Sequence, residues 1–229
     1  MTLKKVFGII SNFPDNDTDY HIVTISRTPS DAAVAFIPSG GSKISSNDHA
    51  IVMTAGTRLY YGVSKDGYTP KGEALAASTG DKDITVELDP VPVVTVDKDL
   101  DLTTDVEYRL GYFISSSGAW NGYYGNFAFY QVPVQPGQRY KVCTVTGQNA
   151  WPVNYATASK DLSSVDFSSQ PAGNTLSALK YDIKGYHKYA GPPVYGEYVV
   201  TIPEGITCMI VNTQSAATAL AKVKISLLK

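Results

Sequence analysis

Residues 111–142 read GYFISSSGAWNGYYGNFAFYQVPVQPGQRYKV. From Trp120 to Tyr130 the stretch carries one tryptophan, three tyrosines and two phenylalanines, with no charged residue among them. It then runs through Val132-Pro133-Val134-Gln135-Pro136-Gly137 into the segment Arg139–Thr146. Pro136 fixes one backbone angle and Gly137 is free to turn, so a strand end, a tight turn and a second strand are predicted here. Side chains alternate across a strand. Phe127 and Phe129 therefore share one face, predicted to be buried in the core, with Ala128 and Tyr130 on the other. Downstream, Tyr140, Val142 and Thr144 point one way, and Lys141, Cys143 and Val145 the other. Ile202-Pro203-Glu204-Gly205-Ile206 repeats the strand-turn device.

The same pattern extends outward in both directions. Short runs of Val, Ile, Thr and Tyr, punctuated by Gly, Pro, Asn and Asp, recur as YHIVTISR, AAVAFI, AIVMTA, LYYGVSK and ITVEL in the first half. VEYRLGYFI, FAFYQVPV, RYKVCTVT, GEYVVTI, TCMIVNT and KVKISLL follow in the second. Helical periodicity is confined to EALAAS and QSAATALA, each short enough to be a turn. Regularly spaced strands with turn residues between them predict an all-β chain of sandwiches or barrels. Pro90 and Pro92, followed by an Asp-rich stretch without aromatics, mark a boundary. The predicted organisation is an arm at residues 1–17, a sandwich at 18–92, a linker at 93–104 and a second sandwich at 105–229. The arm has too few apolar groups to fold alone, so it is expected to order against a partner chain.

Composition narrows the function classes. Charged residues make up 17% of the chain against a usual ~25%, and the formal net charge is −2. A weakly charged, slightly acidic chain in which only Lys180–Lys188 hints at a basic stripe argues against nucleic-acid binding. Sixteen tyrosines stand against seven phenylalanines, a bias toward half-exposed rings with a polar tip. The apolar run Val6–Ile10 is shorter than a secretory core of ~7–15 residues, so no export signal is expected. No run of ~20 apolar residues exists, and no membrane insertion is expected. Cys143 and Cys208 each sit in an alternating apolar segment and read as buried free thiols.

Residues 20–88 resemble the PEGA or carboxypeptidase-regulatory-like sandwiches, an immunoglobulin-like (Ig-like) family. The residues that carry the likeness are Pro29–Val34, Ala55-Gly56-Thr57, Val63–Tyr68 and Val86-Glu87-Leu88. Where that family has a short loop, this chain has IPSGGSKISSNDHA. The resemblance implies a spacer or anchoring module. Residues 105–229 resemble the jelly-roll, carbohydrate-binding-like domains of bacteriophage fibre and virion-surface proteins. The opening stretch, VNYATASKDLSSVD and YVVTIPEGITCMIVNT match them in order. Between Phe167 and Tyr195 the chain departs from that family in a long insertion. The resemblance implies a virion protein, anchored to other virion proteins through the arm and assembled in the host cytoplasm. It further implies a homo-oligomeric head, with a trimer favoured.

Trp120, Asn121, Tyr123 and Tyr124 are expected in a glycine-rich loop, with Tyr186, His187 and Tyr189 in the insertion. Large rings in a polar loop either fold down as a lid or stay exposed for a glycan or a protein partner. A sugar stacks its C–H face on such rings while Asn and Tyr groups meet its hydroxyls. At least two of Trp120, Tyr123, Tyr124, Tyr186 and Tyr189 are expected to be partly exposed. Catalytic chemistry has little support. His21, His49 and His187 lie far apart, and no nucleophile elbow, zinc motif or phosphate loop appears. Asp97, Asp99 and Asp101 start like an EF-hand, but Leu102 and Tyr108 occupy the positions where that loop needs Gly and Glu. No cofactor or metal is expected. The reading is a non-catalytic virion decoration or fibre protein with an adhesive head. A bacterial glycan-binding module and a glycan depolymerase are the alternatives.

Overall fold

The computed structural model describes residues 20–39, 43–78, 80–91, 95–122, 127–146, 150–165, 167, 175–176, 180–192, 194–214 and 222–229. Among them the regular structure is all β, apart from one 3-10 turn at Leu162–Ser164. The expected arm, residues 1–17, and most of QSAATALA lie outside the described residues. EALAAS is not helical: its first residues belong to a strand, Lys71–Leu75. Contacts divide the chain into two compact units, the first ending at Asp89 and the second beginning at Pro90, with Ala190–Pro192 grouped with the first.

The first unit is sandwich-like. Its strands are β1 (Tyr20–Thr28), β2 (Ala33–Ser39), β3 (Lys43–Ser46), β4 (Ala50–Thr54) and β5 (Arg58–Ser64). β6 (Tyr68–Thr69), β7 (Lys71–Leu75) and β8 (Lys82–Glu87) complete the set, and the short β9 (Asp89–Pro90) falls at the division of the chain. One sheet has the order β3-β4-β1-β8 and the other β2-β5-β7. Alternation puts Leu59, Tyr61 and Val63 of β5 inward, against Val23, Ile25, Ile51, Met53 and Val86 of the facing sheet. The Asp66-Gly67 pair turns as its sequence predicts, with Gly67 at φ 79°. Part of the polar insertion is itself a strand: β3 adds to β4, and Asn47 Oδ1 accepts from the backbone N–H of His49 and Ala50 at 3.0 and 2.7 Å.

The second unit has three layers. It comprises β10 (Val96–Asp99), β11 (Glu107–Leu110), β12 (Tyr112–Ile114), β13 (Trp120–Gly122), β14 (Phe127–Pro133) and β15 (Arg139–Thr146). After these come β16 (Ala150–Ala156), β17 (Thr175–Leu176), β18 (Ile183–Tyr189), β19 (Val194–Thr201), β20 (Cys208–Gln214) and β21 (Lys224–Leu228). The sheet β10-β21-β15-β19 packs against the five-stranded sheet β11-β14-β20-β16-β18 to make a jelly-roll-like sandwich. Tyr140, Val142, Tyr198, Val200 and Ile225 from the first meet Tyr130, Val132, Val153, Tyr155, Met209 and Val211 from the second.

The other face of the five-stranded sheet is also covered. Phe129, Ala156, Cys208 and Ile210 point away from the sandwich and pack beneath Tyr112, Ile114 and Trp120 of the small sheet β12-β13-β17. β14 and β20 are therefore buried on both sides, which accounts for a run such as Cys208–Thr213 with no exposed position. Two asparagines fasten the cover. Asn212 Oδ1 accepts from Ile114 N–H at 2.9 Å, and the Nδ2 groups of Asn212 and Asn154 both donate to Ile114 C=O, at 2.9 and 3.0 Å. A buried polar group needs partners, and these side chains serve the backbone of the layer above.

Three sequence expectations change here. Residues 96–99, expected in a linker, form β10 and pair with β21, because Val96–Asp99 is extended and β21 offers an edge. VEYRLGYFI is not one strand: Gly111, at φ 81°, breaks it, so β11 stays in the five-stranded sheet while β12 leaves for the cover. Part of the insertion, Ile183–Tyr189, is β18, paired with β16. Cys143 and Cys208 are both buried and free.

Candidate functional site

Trp120 is not in a loop. It begins β13, pairs with Ile114, and is fully buried. Its indole stacks on Tyr181 at 5.4 Å between centroids, meets Phe129 edge-on at 5.1 Å and lies 5.3 Å from Phe167. The local sequence explains this. Ser115–Gly118 makes a tight turn between β12 and β13, with Gly118 N–H donating to Ser115 C=O at 2.9 Å. Gly118 has φ 80°, and a Cβ there would lie 1.9 Å from the Tyr181 carbonyl oxygen. Only glycine lets the Tyr181 backbone approach and donate to Gly118 C=O at 3.0 Å. The hairpin signal YFI-SSSG-AWN was present in the sequence and is what the loop reading missed.

The remaining expected site residues do not converge on Trp120 as a platform. Tyr123 and Tyr124 lie outside the described residues, as does the Asn121 side chain. Tyr186 is exposed at 49%, on the outermost strand of the five-stranded sheet. Tyr189, expected at the surface, is 2% exposed, because it alternates to the sandwich side of β18. His187 is half-buried, with Nε2 2.9 Å from the Tyr155 hydroxyl. Burial lowers the His187 pKa and pushes Tyr155 up to about 12, so near neutral pH both are uncharged hydrogen-bonding groups. Phe129 is buried as expected. Phe127 is only half-buried: it sits at the end of β14, against Phe113 at 5.0 Å, which in turn stacks with half-buried Trp151 at 6.5 Å.

A cleft opens elsewhere on the second unit, along the outer edge of β11. One cavity of about 510 Å³ lies between Val106–Leu110 and the Leu162-Ser163 turn. A second, about 360 Å³, adjoins it between Thr104–Glu107 and Ser159–Asp161, with Gln131 and Pro133 also lining it. Val106 and Glu107 border both.

The cleft walls are held by Gln131 and Arg109. Gln131 is 3% exposed and fully engaged. Its Oε1 accepts from Lys160 N–H and the Tyr181 hydroxyl, both at 2.7 Å, and its Nε2 donates to Lys160 C=O at 2.8 Å and Glu107 Oε2 at 3.1 Å. Arg109 donates to Leu162 C=O at 2.8 Å and to Tyr108 C=O at 3.1 Å, and its guanidinium lies 5.0 Å from the centre of the Phe167 ring. Tyr108 is 41% exposed and stacks one face on Tyr130 at 5.7 Å. The Asp161 carboxyl is held below its ordinary pKa by Ser163, and Asp105 by Lys98. Sequence reasoning passed over this cleft because its walls are far apart in the chain.

No group of three potential metal-ligating side chains occurs among the described residues. Of the aspartates that mimic a calcium loop, Asp97 and Asp99 face Lys229 and Lys224 at 4.0 and 3.0 Å, and Asp101 accepts from Thr103. No described helix is long and apolar enough to cross a membrane. No protein-family model matches the chain, and neither does any curated protein sequence.

Proposed function

We propose that the protein is a non-catalytic component of a bacteriophage particle surface, a capsid decoration or fibre protein, whose C-terminal unit adheres to a host surface glycan. One observation carries the adhesive part. Among the described residues the exposed large apolar side chains are Val96, Tyr108, Leu110, Tyr186 and Tyr195, all in the second unit, and three of them are tyrosines. An exposed tyrosine offers a flat apolar face and a hydroxyl at little entropic cost, the pairing that a sugar ring requires. The all-β build and the order of the jelly-roll-like motifs support the particle assignment. In this reading residues 1–17 anchor the chain to other virion proteins, the first unit is a spacer, and the heads assemble as a homo-oligomer, a trimer by resemblance.

The test has two arms. Mass spectrometry of purified particles should find the chain, and gold-labelled antibody should place it on their surface. The purified protein should bind host cells and be released by free glycan, without shortening it. Particles lacking the chain would overturn the virion assignment. Release of shorter glycan products would overturn the non-catalytic one.

A further inference from the structure

We propose that the cleft beside β11, rather than the Trp120 region, is the glycan-binding site of the second unit, and that it takes a linear chain of neutral or amino sugars. This rests on the reading of the protein as a glycan-binding adhesin.

β11 is the outermost strand of its sheet. Gly111 N–H donates inward to Phe127 C=O at 2.7 Å, so by alternation the backbone groups of Glu107 and Arg109 also face β14. Those of Tyr108 and Leu110 face outward, into the cleft. The Arg109 side chain, reaching round to Tyr108 C=O, fits that assignment. An edge of this kind supplies fixed donors and acceptors at a spacing of two residues, roughly 7 Å. The Val106–Leu110 wall runs roughly 14 Å, long enough for sugar rings laid end to end.

Side chains supply the rest of what a sugar needs. Tyr108, 41% exposed, stacks one ring face on Tyr130 on the sandwich side of β11 and is oriented before a ligand arrives, while Glu107 stands on the cover side, so a chain laid along the edge is flanked by both. Glu107 stands where the two cavities meet, and Gln131 holds its Oε2, leaving Oε1 to accept a hydroxyl or ammonium proton. Gln131 cannot turn away, since its other bonds go to the Lys160 backbone and Tyr181. A carboxylate fixed in this way strengthens its hydrogen bonds at small ordering cost.

Charge decides the class of sugar. Asp105 is neutralised by Lys98 at 2.7 Å, and Arg109 already spends hydrogen bonds on two backbone carbonyls, so Glu107 and Asp161 are the carboxylates that face a ligand, beside Lys160. Acidic polymers carrying uronate, sialate or phosphate are disfavoured where Glu107 would meet them.

The test uses the full chain on a glycan array, followed by calorimetric titration with the strongest neutral or amino-sugar oligosaccharide. Tyr108→Ala should weaken binding about tenfold or more, as loss of a stacking anchor does. Glu107→Gln should weaken it several-fold, and Lys188→Ala, on the opposite edge strand β18, should leave it unchanged. If the wild type binds such a glycan and the Tyr108 and Glu107 variants bind equally well, the cleft assignment is wrong while the adhesin reading stands. If the array shows no binding at all, the adhesin reading itself fails. Binding confined to acidic glycans would refute the proposed ligand class. Sedimentation of the same variants closes the remaining route: a change in oligomeric state with Tyr108→Ala, at unaltered glycan affinity, would make this edge a subunit contact instead.

Discussion

The Trp120 indole and the Tyr181 phenol lie stacked, their planes 11° apart, deep in the cover over the five-stranded sheet. The aromatic cluster that dominates the sequence is thus, at its tryptophan, the filling of a second core. Trp120→Ala removes the largest side chain of that core and leaves a cavity among Phe129, Phe167 and Tyr181. A loss of about 3–5 kcal/mol is expected, the usual range for truncating a buried tryptophan. Urea unfolding monitored by circular dichroism checks it, and a loss below about 1 kcal/mol would contradict the burial.

Gly118→Ala should be costly for a side chain of one carbon. The positive φ alone penalises an L-residue by about 1–2 kcal/mol. The new Cβ would also collide with the Tyr181 carbonyl, which is backbone and cannot swing aside. The expected result is a clear drop in melting temperature with weakened near-ultraviolet dichroism from Trp120. By contrast Gly137→Ala, also at positive φ but with nothing within 4 Å of the new Cβ, should cost only the conformational part.

Asn212→Leu keeps the side-chain bulk but strips the clamp from Ile114 N–H and Trp151 C=O, with Asn154 still donating to Ile114 C=O. Each buried backbone group left without a partner costs about 1–3 kcal/mol. Hydrogen exchange should show the Ile114 amide losing protection while amides of β15 and β21 keep theirs. Uniform loss across the unit would mean the cover and the sandwich unfold together.

Stability should decline on mild acidification. Burial lowers the pKa of His21 and His187 from the ordinary 6.5. Below about pH 6.5 the unfolded chain binds protons that the folded chain resists, so the unfolded state gains and stability falls with pH. Above about pH 7 both states carry neutral imidazoles and the effect vanishes. Asp99, Asp105 and Asp161, lowered by Ser226, Lys98 and Ser163, act in a separate window, losing their bonds only as pH drops below about 4. The urea midpoint should therefore be lower at pH 5.5 than at pH 7.5, and His187→Gln should remove part of the difference. An unchanged midpoint across that interval would refute the argument.

Strands whose apolar residues alternate or run together between turn signals were legible from sequence: β1, β4, β5, β14, β15 and β20 all fall where Val, Ile and Tyr predict them. β3, β10 and β18 were not, because an edge strand buries little and so carries polar residues such as Lys43, Lys98 and Lys184. The third layer escaped for a different reason. Alternation in Phe127–Val132 announces two faces, but it does not say that both are covered. The burial of Tyr189 was hidden in the same way, by neighbours distant in the chain. The β11 cleft depends on Gln131 reaching Lys160 and Arg109 reaching Leu162, pairings that no local pattern encodes.

The cover layer also has a topological meaning. β11 and β14 pair directly, from Glu107↔Gln131 to Leu110↔Ala128, although residues 111–126 intervene. β16 and β18 pair likewise around residues 157–182. Both segments are detours spliced into hairpins whose stems are closed beneath them. A sandwich built this way has its registers set below the splice points, so related chains are free to exchange or lengthen the detours as cassettes. Variation in such a lineage should therefore concentrate at the roof and rims, while the four stem strands stay recognisably the same.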